Sequence, residues 1–245
     1  MIEVQGLGKC FGVRWPLREV SFSIQAGDFV GLLGRNGAGK TTLLRLLTGQ
    51  LHPSEGRASI EGLDVSARPL ALRRLAGVMP EEDALLDDLT GTQYLHFAGQ
   101  MHGLHRTELG DRIRELQDCL EVNFHEPKAI RDYSYGMKKK LAFASALLHG
   151  PRLLFLDEPF EGLDPAATQT LLDLLRRLHA GGCTLVMASH SLGLAERLCT
   201  RFLLIEEGRI LVDEPTEGLV HAEGDLEALF LRHVGSRKAE ALSWM

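Results

Sequence analysis

The densest chemistry in the chain lies in Gly34-Arg35-Asn36-Gly37-Ala38-Gly39-Lys40-Thr41-Thr42. It matches the pattern G-x-x-x-x-G-K-[ST] in full. Glycines at this spacing let the backbone wrap an anion more closely than a Cβ permits. Successive N–H groups then converge as an anion nest, and the helix that follows presents its positive end to the same anion. Lys40 has the reach for the β- and γ-phosphates of a nucleotide, and the Thr41 hydroxyl suits Mg²⁺. The loop leaves the base unnamed, although the N-K-x-D motif that reads guanine is absent from the sequence.

A second chemical run is Leu153-Leu154-Phe155-Leu156-Asp157-Glu158-Pro159, an apolar strand ending in two acids. A hard dication that keeps most of its waters needs one or two carboxylates, and Asp157 at the strand end supplies one. Glu158, one residue on, is placed to orient and deprotonate a water for in-line attack on a γ-phosphate.

These residues need an α/β frame. Asp28 to Leu33, Leu153 to Leu156 and Thr184 to Ala188 read as buried strands. The first leads through the glycine loop into a helix from Lys40 to Leu47. Phe202 to Ile205 and Arg209 to Val212 flank Glu206-Glu207-Gly208 as a hairpin. Ile2 to Val4, Val20 to Ile24 and Arg57 to Ile60 alternate as an antiparallel sheet does. From Thr90 to Leu148 the period is helical, with Ile113, Leu116 and Leu120 on one face between Leu109 and Val122. The sequence therefore predicts a helical subdomain, at about residues 88–150, inserted within a main domain of residues 1–220. A tail of residues 221–245 follows, with a short amphipathic helix over Asp225 to Val234 and ten loose residues at the end.

Composition narrows the setting. The chain has 245 residues, 44% of them hydrophobic, and a net charge of −6, which offers no general field for nucleic acid or anionic lipid. The four cysteines, Cys10, Cys119, Cys183 and Cys199, have neither disulfide-framework nor zinc spacing and read as free thiols. Nothing at the N-terminus has signal-peptide layout, and no stretch approaches the ~18 apolar residues of a membrane helix. Work at a membrane would need another chain to span it.

With Tyr133-Ser134-Tyr135-Gly136-Met137 placed just upstream of the Asp157 strand, the chain resembles the nucleotide-binding subunits of ABC transporters along nearly all its length. The pentapeptide stands where that family has its L-S-G-G-Q signature, with Tyr135 for the first glycine and Met137 for glutamine. Ser134, Gly136 and the start of the following helix form a second anion site. The resemblance implies a P-loop NTPase (RecA-like) core with an N-terminal antiparallel β subdomain and an inserted helical one. It also implies two subunits paired head to tail, each signature covering the other's ATP, as a homodimer or with a second ATPase subunit. Further matches are Phe11 as the aromatic that stacks on adenine and Gly162-Leu163-Asp164 as a D-loop at the dimer interface. His190 stands in the place of the switch histidine. Asp164 before Pro165 also reads as a helix N-cap. The Q-loop glutamine falls at Glu81, a departure that keeps a ligand oxygen for Mg²⁺ and adds a negative charge beside ATP.

The form Y-S-x-G-M-K and the tail Asp225 to Leu231 resemble the exporter branch that moves drugs, lipids, polysaccharides or ions. The implied role is a peripheral ATPase on the cytoplasmic face of the membrane, using ATP and Mg²⁺ to drive a separate permease, with no nucleic-acid partner. A soluble ABC ATPase of repair, translation or cofactor assembly is the alternative, and a non-hydrolysing nucleotide-binding regulator is a third reading. Lys138, Lys139 and Lys140 read as a solvated or partner-facing surface.

Overall fold

The computed structural model describes residues 1–217 and 226–235. Two sheets and a group of helices divide the chain. β1 (Ile2–Phe11), β2 (Arg14–Ile24), β4 (Glu55–Ile60) and β5 (Leu63–Asp64) form an antiparallel sheet ordered β2-β1-β4-β5. Its core side carries Ile2, Val4, Leu17, Ile24, Ala58 and Ile60, all buried. The alternation with exposed residues is the period of a sheet wet on one face.

The second sheet is ordered β10-β9-β3-β8-β7-β6. It contains β3 (Phe29–Leu33), β6 (Ala76–Val78), β7 (Leu153–Asp157), β8 (Thr184–Ser189), β9 (Arg201–Glu206) and β10 (Arg209–Pro215). All neighbours pair in parallel except the β9–β10 hairpin. The central strands are buried on both faces, which is why they read as continuous apolar runs. Val30 and Leu32 join a core with α1 (Lys40–Leu47) and the antiparallel sheet. Phe29 and Leu33 join a second core with the helices beyond.

Those helices include α2 (Pro69–Leu75), α3 (Gly91–Met101), α4 (Arg106–Leu120), α5 (Tyr135–Leu147), α6 (Pro165–Ala180) and α7 (Leu192–Leu198). Three of them, α3 to α5, lie between β6 and β7, as the helical period predicts. Thr90 begins α3 with a capping box, exchanging bonds with Gln93. The last described helix, α8 (Leu226–Val234), buries Leu226 and Leu229 and packs on α7. Asp225 and the last ten residues lie outside the described residues. The four cysteines are free, and no described helix is long and apolar enough to cross a membrane.

The strand order positions the chemistry. β8 lies between β3 and β7, with Leu33 opposite Ser189 and Asp157 opposite Ala188. The Gly34 loop, Asp157-Glu158 and His190 thus leave the same edge of the sheet side by side. The crevice at the carboxyl ends of parallel strands is where open α/β sheets bind ligands.

Candidate active site

The glycine loop is built as the sequence requires. Gly34 (φ 159°) brings the backbone so close to β9 that a Cβ would lie 2.3 Å from the Ile205 carbonyl oxygen. Gly39 has φ 115°, and a Cβ there would lie 2.5 Å from the Pro16 carbonyl oxygen. No other residue type fits either position without displacing backbone. The loop opens α1, whose first residue, Lys40, is buried. The Lys40 ammonium donates to the Gly34 carbonyl at 2.8 Å and lies 3.6 Å from Glu158 Oε1.

These groups border a cavity of about 560 Å³ lined by Phe11, Arg14, Pro16, all of the loop from Arg35 to Thr42 except Ala38, and Glu158. Phe11 is 51% exposed, too open for a core residue, and Lys9 Nζ stands 5.0 Å from its ring centre. Phe11 thus presents an open ring at the edge of the cavity.

Glu158 is the hub of the polar groups. Its Oε2 accepts from the His190 backbone N–H at 3.3 Å and lies 3.0 Å from His190 Nδ1. Its backbone sits at φ 43°, in the left-handed region that side chains disfavour. Strain of that kind, about 1–3 kcal/mol, persists where the surroundings over-determine it and is concentrated at functional sites. Here β7 ends one residue earlier, and the Glu158 N–H is held by the Ala188 carbonyl at 3.0 Å.

Asp157 supports the cation reading. Its Oδ1 is buried without a hydrogen-bond partner. Burial, opposed by a hydrogen bond from the Thr41 hydroxyl, leaves its pKa raised above the ordinary carboxylate value. The Glu158 and Glu81 charges push the same way. An unpartnered buried carboxylate oxygen beside a hydroxyl is what a hard dication uses. Glu81 borders the same groove as Asp157, but its carboxylate is also bound by the Arg45 guanidinium of α1. Arg45 offsets the negative charge that Glu introduces at this position, and no sequence motif announces it.

The signature residues lie elsewhere. Ser134 caps α5, accepting from the Met137 N–H at 3.2 Å. Gly136 is open on its Cβ side, where the nearest atom is a Leu163 methyl at 3.8 Å. Neither lines the cavity of Lys40 and Glu158. Asp164 caps α6, accepting from the Ala167 N–H at 2.8 Å. Two expectations need correction. Tyr133, assigned to the dimer interface, is buried at 6% exposure, with its hydroxyl taking the Gly91 N–H, so its side chain is committed to the α3–α5 core. Lys139 is not solvated either. It is 5% exposed and pairs with Glu82 at 2.7 Å, while Lys138 pairs with Asp87 and Lys140 bonds the Glu121 carbonyl.

A family model described as ABC transporter matches residues 17–161. The chain belongs to this family. Among curated relatives, the Nod factor export ATP-binding protein I of Sinorhizobium fredii is 38% identical over 221 residues, covering 90% of this chain and 63% of that protein. The daunorubicin resistance ATP-binding protein DrrA3 of Streptomyces coeruleorubidus is 34% identical, covering 96% and 74%. A solved ATP-binding subunit of an ABC transporter superposes with a TM-score of 0.88 at 30% identity, covering 96% of this chain and 99% of that one. At 22% identity, a dimeric ATP-binding cassette bound to ADP and Pi shares the fold with a TM-score of 0.81. The chain is an ATP-binding, ATP-hydrolysing ABC subunit.

Proposed function

We propose that this ABC ATPase serves an exporter from the cytoplasmic face of the membrane. It closes as a head-to-tail dimer on ATP and drives a separate membrane-spanning permease. One observation supports the dimer reading: Lys40, Glu158 and Phe11 line one cavity, and Ser134 and Gly136 are not among its lining residues. A second copy, or a second ATPase subunit, would bring its Ser134 and Gly136 to the γ-phosphate, with Tyr135, Gly136, Met137 and Asp164 at the interface. The export reading draws on relatives named for Nod factor export and daunorubicin resistance. The domain limits 1–220, with helices inserted at 88–150 and a tail from 221, belong to the same reading.

In this reading Lys40 and the loop amides hold the β- and γ-phosphates, and Phe11 stacks on adenine. Arg35 to Gly39 and Thr42 complete the cradle. Thr41, Asp157 and Glu81 would hold Mg²⁺, which neutralises phosphate charge when bound. Glu158 takes a proton from the attacking water. His190 steadies Glu158 through its N–H and Nδ1 and turns its other nitrogen to the γ-phosphate. Loss of that phosphate releases the dimer, a ligand-biased two-state switch.

The test has two arms. With Glu158→Gln, light scattering is expected to show a dimer in ATP and a monomer in ADP; a monomer in both refutes the dimer. The tagged wild-type chain is expected to co-purify from detergent-solubilised membranes with a multi-helix membrane protein. Purification with a nucleic-acid or ribosome complex instead refutes the transport role.

A further inference from the structure

The segment after Glu81 is acidic: Glu82, Asp83, Asp87 and Asp88 fall within one short stretch. The structure lays it along the cations that flank Ser134. Glu82 meets Lys139 at 2.7 Å, Asp87 meets Lys138 at 3.0 Å and Asp88 meets Arg131 at 2.6 Å. Backbone bonds run beside them, from the Ile130 N–H to the Leu89 carbonyl and from the Arg131 N–H to the Asp87 carbonyl.

The three pairs are unequal. Asp88 and Arg131 are exposed, at 86% and 61%, so their attraction is screened and worth little. The side chains of Lys139 and Glu82 are 6% and 23% exposed, so this pair works where screening is weak. Burial raises the Glu82 pKa, but the Lys139 ammonium, a backbone hydrogen bond and the Tyr135 hydroxyl together leave the carboxyl below its ordinary value. Tyr135, the signature's bulky residue, closes the pair from above. Lys139 Nζ lies 5.6 Å from its ring centre. The same ring rests on Gly162, where a Cβ would come within 2.2 Å of it. Gly162 has φ +71°, so the D-loop backbone is shaped to receive the tyrosine. Glu82, Lys139, Tyr135 and Gly162 thus join the loop after Glu81, the signature helix and the D-loop.

We infer that the Glu82–Lys139 pair is a positioning device that fixes the Ser134 anion site relative to Glu81 and Asp157, so that a signature fits its partner's ATP. This rests on the dimer reading above. Tyr135 in place of glycine is then part of the device, since a glycine could neither cover Lys139 nor seat on Gly162.

The test uses Glu158→Gln as the parent, with Glu82→Gln added alone and together with Lys139→Gln. The double change leaves no buried charge unpaired, so it keeps the question answerable if Glu82→Gln alone folds poorly. Two quantities are read: affinity of the monomer for a fluorescent ATP analogue, and the ATP-dependent dimer constant by light scattering. Monomer affinity is expected within about twofold of the parent, and dimerisation weakened about tenfold, a usual size for coupling between sites. The double variant is expected to match Glu82→Gln, because both remove the same pair. Asp88→Asn is expected to change dimerisation less than about threefold, as an exposed pair should. A loss below about threefold in the double variant overturns the inference. So does an equal loss of monomer affinity, or an equal effect of Asp88→Asn. A parent that stays monomeric in ATP refutes the dimer reading itself, which is a separate result.

Discussion

Glu158→Gln is the sharpest perturbation of this site. The carboxylate touches Lys40 at 3.6 Å through Oε1 and His190 at 3.0 Å through Oε2. Glutamine has the same length and keeps an oxygen to accept from the His190 N–H, so the scaffold of the site stays. What it loses is the capacity to take a proton from water. A positioned general base contributes about 10²–10⁴-fold, which is about 3–5 kcal/mol of barrier. The ion pair with Lys40 is lost as well, but Lys40 keeps the Gly34 carbonyl at 2.8 Å. Loss of about 1 kcal/mol of stability would lower Tm by about 2–4 °C in a chain of this size. Phosphate release at saturating ATP is therefore expected to fall at least about 100-fold, with nucleotide affinity kept. Turnover within about tenfold of wild type would refute the role of Glu158 as base. A fall accompanied by lost ATP binding would assign the effect to damage of the loop instead.

Three other outcomes follow from the same geometry. Lys40→Ala removes a charge-assisted contact to phosphate worth about 1.5–3 kcal/mol, so the dissociation constant for ATP, read by equilibrium binding, is expected to rise at least about tenfold; an unchanged constant contradicts the loop reading. At φ 43°, Glu158→Gly is expected to be more stable than Glu158→Ala by about 0.5–1 kcal/mol, because the left-handed penalty exceeds the entropy cost of glycine. Denaturant unfolding that ranks Ala above Gly would remove the strain argument. Asp157→Asn concerns a carboxyl whose pKa is raised, chiefly by burial. Its contribution to stability is present below the unfolded value and lost as pH rises through the folded one, so the ionised group weakens the metal-free fold at neutral pH. In chelator at pH 7, Asp157→Asn is expected to raise Tm, with the gap closing as pH falls; a lower Tm contradicts the assignment.

The legible parts of this fold were those set by local chemistry. The loop from Gly34 to Thr42 announces itself because phosphate binding demands glycines and a lysine at fixed spacing. The helix from Lys40 to Leu47 follows from it to the residue. Strands buried on both faces, such as β3, β7 and β8, are apolar throughout and stand out for that reason. What could not be read was non-local. Lys139 belongs to a type almost always solvated, and the distant Glu82, with the Tyr135 ring, permits its burial. Tyr133 and Tyr135 are two residues apart across a helix start. One turns into the α3–α5 core and the other out over Lys139, a choice made by packing partners that no short pattern contains.

Charge explains how the departure at Glu81 is tolerated. A carboxylate here raises the pKa of Asp157 and would add to the negative potential at the nucleotide. Arg45 answers it from α1, the same helix whose first residue is Lys40. Glu81 is thereby tied to the phosphate-binding helix on one side. On the other, Glu82 ties the next residue to the signature helix through Lys139. Adjacent acids thus face opposite bodies of the chain. A shift of α5 relative to α1 must strain one of these pairs, or break the exposed one first, since Arg45–Glu81 is 42% and 54% exposed and weakly held.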